Sequence, residues 1–166
     1  MRIALATLVP LAAALLQGSV IPFLAIGGAR PNMPLLVAAS WSLAAGAGEA
    51  VWWAFLGGIA ADLLSGGPLG AFALALLPPV AAVGLGERGM VRPVGVALGA
   101  AFIGLAALAA GVLYVGALVL AGQPLPAPTI LAAEIGGGAI YSGVLALATY
   151  PLARWVRRVT EKQAAF

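Results

Sequence analysis

The chain has 166 residues, of which 63% are hydrophobic and only 8% charged, with a formal net charge of +3 and a mean hydropathy of +1.12. A soluble domain carries about a quarter charged residues, so this composition describes an integral membrane protein, whose basic residues are read against the bilayer and not as a nucleic-acid surface. With no cysteine and no histidine, disulfides, thiolate metal sites and the commonest general base are excluded, and the sequence offers no catalytic, cofactor-binding or metal-ligating constellation.

Breaks at charge, proline and glycine clusters predict six apolar segments, 3–24, 33–48, 50–65, 69–86, 93–121 and 129–153. The first follows Met1-Arg2 and contains Ala12-Ala13-Ala14, the outline of a leader peptide, and is read here as a retained span. The second and third are short for about 30 Å of hydrocarbon, and Glu49 between them leaves room only for a tight hairpin shielded by its neighbours. The third runs into FLGGIAADLLSGGPLG, Phe55 to Gly70, where a carboxylate stands inside an apolar run. The inner loop Glu87 to Arg92, the outer loop GQPLPAP from Gly122 to Pro128 and the tail after Trp155 are all too short to fold as domains. Residues 1–166 therefore form a single polytopic domain, without internal repeat or nucleotide loop.

Six spans place both termini on one side. Arg2, Arg88, Arg92, Arg154, Arg157, Arg158 and Lys162 then share that side and Arg30 stands opposite, so positive-inside bias makes both ends cytoplasmic. Trp155 and the pair Trp52-Trp53 fall at the inner interface, where indole rings favour the headgroup level.

Asp62 lies in the last turn of the third span, where its cost is below the roughly 2.5–3.5 kcal/mol of an acid at mid-bilayer. Gly66 and Gly67 suit the exit from one helix and Pro68 the first turn of the next. Asp62 is thus expected to cross the turn and accept the free amides that begin the fourth span, the alternative being a contact with a partner or ligand. An exchange to asparagine, which keeps a carbonyl oxygen, should be mild, whereas alanine leaves those donors unmet. Gln17, Tyr114 and Glu134 lie at similar depths in the first, fifth and sixth spans and are expected to form one polar layer, with Glu134 bonded to Tyr114 or Gln17, because lipid offers no hydrogen bonds; a small ligand pocket open to the outside is the alternative reading. Close helix approach is served by the spacing of Gly95 and Gly99, of Ala54 and Gly58, and of Gly57 and Ala61.

The run from Leu16-Gln17 through Arg30-Pro31-Asn32, then LLVAASWSLAAGAGEA, and above all FLGGIAADLLSGGPLGAFAL, resembles the rod shape-determining protein MreD family. Gly58, Asp62, Leu63, Leu64, Gly66 and Gly70 fill a G-x-x-x-D-L-L-x-G-x-x-x-G pattern that the family shows, over a resemblance spanning roughly residues 16–78. Asn32 stands where the family pattern has an aspartate. The resemblance implies a non-enzymatic component of the cell-wall elongation machinery in the bacterial inner membrane, working with MreC, with RodA and its transpeptidase partner, with the MreB filament and with membrane lipids. It also implies an all-α six-helix bundle similar to the substrate-binding component of energy-coupling-factor vitamin transporters, and a vitamin-binding subunit is accordingly the alternative function. A lipid phosphotransferase would need clustered acids or His and Lys pairs that the sequence lacks.

Overall fold

Apolar runs with no alternation of polar residues can satisfy their backbone in lipid only as helices or closed barrels, and this chain takes the helical course. A computed structural model describes residues 2–88 and 94–163; most of the inner loop expected at Glu87 to Arg92 lies outside the described residues. Six α-helices follow in order, α1 (Arg2–Ser19), α2 (Met33–Ala45), α3 (Ala47–Ser65), α4 (Ala71–Arg88), α5 (Val96–Leu120) and α6 (Pro128–Gln163), with one 3-10 turn at Ile21–Leu24 and no strand among the described residues. Three of them, α3, α5 and α6, are long and apolar enough to cross a membrane; the apolar stretches of α1, α2 and α4 are shorter, Ala4–Ser19, Met33–Ala45 and Ala71–Gly86.

Helix α2 is the axis of the bundle. It packs against α1, α3, α4, α5 and α6, and ten of its 13 residues, from Pro34 to Ala44, are buried. A helix of that length reaches only about 20 Å at 1.5 Å per residue, and its position inside a ring of longer helices spares its ends from meeting lipid directly. Around it the packing runs α1 to α3, α3 to α4, α4 to α5 and α5 to α6. The ring opens between α1 and α6, where Leu5, Val9, Val37, Trp53, Leu152 and Val156 line an apolar cavity of about 250 Å³.

Several boundaries differ from the sequence expectation. The break between α2 and α3 falls at Gly46, whose φ of 96° and ψ of 166° end the helix three residues before Glu49. Glu49 instead sits in the first turn of α3, where the helix dipole favours an acid, and it accepts a hydrogen bond of 3.1 Å from Trp41 Nε1. Helix α6 was expected to end at residue 153 and runs on to Gln163 through Pro151, because loss of hydropathy marks where a span leaves the hydrocarbon and not where its hydrogen bonding stops. The expected interfacial pair also divides. Trp52 is exposed, but Trp53 is only 4% exposed and stacks on Trp41 at 4.7 Å and 8°, since adjacent helical residues point about 100° apart.

Several polar side chains of the interior pair across helices, whereas the buried Trp53 Nε1 has no hydrogen-bond partner among the described residues. Ser40 and Thr149 meet at 3.0 Å, Ser42 donates to Val80 O at 2.8 Å and Tyr150 donates to Val94 O at 3.0 Å. Arg157 donates to Ala44 O, placing a cation on the orphan carbonyls at the C-terminus of α2, where the dipole is complementary.

Candidate functional site

The Asp62 turn is assembled by three features of the sequence acting together. Gly66, at φ 69°, ψ 11°, closes α3 in the left-handed conformation, and Gly70, at φ 90°, delays the next helix to Ala71. Pro68 therefore precedes α4 by three residues and does not open it as expected, because a residue with Gly70's backbone cannot belong to a right-handed helix. Gly70 occupies the position whose side chain would normally cap a helix, and it has none to offer.

Asp62 supplies the cap from the neighbouring helix. Its carboxylate, on a residue 2% exposed, accepts from Gly70 N at 2.9 Å and Ala73 N at 3.4 Å through Oδ2, and from Phe72 N at 3.0 Å through Oδ1. Both oxygens are engaged, so asparagine can replace only one side of the clasp, and the milder expectation for that exchange is revised accordingly. Gly58 stands one turn before Asp62 on the same face, and a Cβ there would lie 2.4 Å from Ala73 Cα and 2.8 Å from Ala73 N. The absence of that atom lets α4 approach α3 until the amides reach the carboxylate. Ser65 Oγ donates to Asp62 O at 3.1 Å and accepts from Gly67 N at 3.4 Å.

A second cap stands at the same end of the bundle. Asn32 Oδ1 accepts from Leu35 N at 3.1 Å, Gln17 Oε1 reaches across from α1 to accept from Met33 N at 2.7 Å, and Asn32 N donates to Ser142 Oγ on α6 at 3.1 Å. An uncharged asparagine completes this cap, as expected of a residue able to accept from an amide two or three positions on. Gln17→Leu leaves the Met33 amide without its partner and should lower the melting temperature in detergent modestly, in keeping with the average of about 0.6 kcal/mol for intramembrane hydrogen bonds; an unchanged melt would show that Met33 N finds another acceptor.

The structure does not join Gln17, Tyr114 and Glu134 into one layer. Gln17 serves the α2 cap. Tyr114 turns toward α4, where it meets Phe72 edge to face at 5.3 Å and 78°, beside the turn that Asp62 clasps. Glu134 faces a third place, a cavity of about 250 Å³ whose lining includes Gly28, Arg30, Asn32, Ile135 and Ala139. Equal depth in the sequence fixes distance along the bundle axis but not direction around it, and the three side chains point to different neighbours.

Sequence reasoning passed over Ser142, Thr149 and Arg157. The first two are seven residues apart, close to two helical turns, and both hydrogen-bond residues of the α2 segment. That spacing on an otherwise apolar helix was the available signal. Arg157 was counted only as a topological charge, and nothing in its local sequence marks it as the residue that meets Ala44 O.

A family model described as rod shape-determining protein MreD matches residues 1–88, a span that includes α1 to α4 and every residue of the Asp62 clasp. No curated protein and no solved structure matches the chain.

Proposed function

The chain belongs to the MreD family of rod shape-determining membrane proteins, and we propose that within it this protein is a non-enzymatic scaffold of the elongation complex, binding MreC and so helping to position RodA and its transpeptidase partner, with MreB beneath, for peptidoglycan synthesis. The observation that carries this reading is the family match over the half of the chain that contains the Asp62 clasp: the matched residues build an end of the bundle whose helix starts are capped by side chains from neighbouring helices, the kind of cross-braced face that suits a positioning protein.

In this reading residues 1–166 form one domain of six spans in the bacterial inner membrane. Helices α1, α2 and α4 complete the crossing as shorter spans, with α2 shielded by its five neighbours. Both termini are cytoplasmic, following the distribution of arginine and lysine, and the clasped end of the bundle is external. Cysteine placed at Gln123 in this cysteine-free chain should react with an impermeant thiol reagent in intact cells, and cysteine at Met90 should react only after lysis; labelling at position 90 in intact cells would contradict the topology.

The partner assignment is tested by purifying the tagged protein from cells co-expressing MreC. Stoichiometric co-purification is expected, and its loss while the protein remains monodisperse and folded would refute the scaffold. The alternative, a substrate-binding subunit of a vitamin transporter with the corresponding fold, is favoured by one observation, the cavity lined by Arg30, Asn32 and Glu134. A vitamin recovered from the same preparation by mass spectrometry would select it.

A further inference from the structure

The cavity beside α6 presents two opposite charges that the protein does not pair. Arg30 and Glu134 both line it, both are exposed, and neither side chain makes a hydrogen bond or an ion pair with any described residue. The surrounding polar groups are already engaged, Asn32 with Leu35 N and Ser142, and Gln17 with Met33 N. Two opposite charges that line one cavity and are not paired with each other offer charge-assisted hydrogen bonds to a ligand that carries both complementary charges.

The remaining lining, which includes Ala107, Ile135 and Ala139, is apolar. Ile130, one turn before Glu134 on the same face of α6, is also exposed, so an apolar route runs along the helix to the acid. Glu134 lies six residues into α6, about 9 Å from its start at 1.5 Å per residue. In the membrane placement proposed above the loop before α6 is external, so Glu134 stands in the outer part of its span, within reach of the headgroups. A ligand that suits this place carries an anion for the guanidinium, a hydrogen-bonding cation for the carboxylate, and apolar matter alongside.

We propose that this cavity binds the phosphoethanolamine group of a phospholipid, with Arg30 holding the phosphate and Glu134 the primary ammonium. Arginine pairs with phosphate through its planar fork of donors. The carboxylate accepts from an ammonium that has N–H groups to give, which the quaternary ammonium of phosphatidylcholine does not. Phosphatidylglycerol has the phosphate but no cation, and Glu134 repels it. The assignment rests on the membrane placement given above and not on MreC.

The purified full-length protein, without partners, is reconstituted in phosphatidylcholine nanodiscs containing either phosphatidylethanolamine or phosphatidylglycerol, and the lipid retained per protein is read by native mass spectrometry. One phosphatidylethanolamine should be retained about tenfold over the other two, the factor that corresponds to one charge-assisted hydrogen bond. Glu134→Gln should abolish the preference over phosphatidylglycerol, and Arg30→Gln should reduce retention of phosphatidylethanolamine about tenfold. Both variants should melt close to wild type, because neither side chain has an internal partner. Free phosphoethanolamine, added to the same discs, separates headgroup chemistry from the intact lipid. Equal retention of the three lipids, a preference that survives Glu134→Gln, saturation by free phosphoethanolamine without lipid preference, or occupation of the cavity by a co-purifying peptide would each overturn the proposal.

Discussion

Asp62→Ala should lower the stability of the purified protein by about 2 kcal/mol. Three amides, those of Gly70, Phe72 and Ala73, lose their acceptor together, that of Ala73 in a buried place. Intramembrane hydrogen bonds average about 0.6 kcal/mol each in double-mutant cycles, and loss of a helix cap costs about 0.5–2 kcal/mol, so the two routes agree. For a chain of this size the loss corresponds to a fall of roughly 4–8 °C in melting temperature, with reduced abundance in cells. Asp62→Asn should fall between wild type and alanine, at about 1 kcal/mol, because one oxygen still accepts while the amide group faces a backbone donor. A wild-type melt for Asp62→Ala would remove the clasp as an element of stability.

Gly58→Ala should be the more damaging exchange, by about 3 kcal/mol. In a helix interior alanine is ordinarily favoured over glycine by roughly 0.5–1 kcal/mol, so the intrinsic term has the opposite sign. Here the added methyl would stand 2.4 Å from Ala73 Cα, and the atom it meets is backbone, which cannot rotate aside. Helices α3 and α4 must separate, at the cost of about 1–3 kcal/mol or more for overpacking, and the separation also draws Ala73 N away from Asp62. Gly116→Ala on α5 is the control, since nothing lies within 4 Å of a Cβ there; it should melt at or above wild type. If both exchanges behave alike, the close approach of α3 and α4 does not govern stability.

The Asp62 clasp was legible because its parts are local. A carboxylate near the end of one apolar run, followed within eight residues by glycines and a proline, leaves few places for the acid to go except the amides across the turn. The number of helices was legible for the same reason, as hydropathy is a property of neighbouring residues. The break at Gly46 was not, because Glu49 advertised itself as a boundary and the sequence offers two glycines before it, Gly46 and Gly48, without saying which takes the positive φ that ends α2. The sequence could place Gln17, Tyr114 and Glu134 at one depth, but the helix directions that send Gln17 to Met33 N, Tyr114 to Phe72 and Glu134 to the Arg30 cavity depend on how α1, α5 and α6 are rotated in the ring. Trp53 posed the same difficulty: its stacking on Trp41 is a contact between helices, and its pairing with Trp52 in sequence suggested a shared interface.

The account holds that Asp62 supports shape determination by building the bundle, and not by presenting its charge to a partner. The most direct test is rod-shape complementation by Asp62→Asn, with expression adjusted until the folded protein in the membrane equals that of wild type, and with MreC co-purification measured on the same cells. At matched folded level the variant should restore rod shape and retain MreC as wild type does. A variant that is folded and equally abundant, yet leaves cells round and loses MreC, would contradict the account and assign the carboxylate to a partner contact.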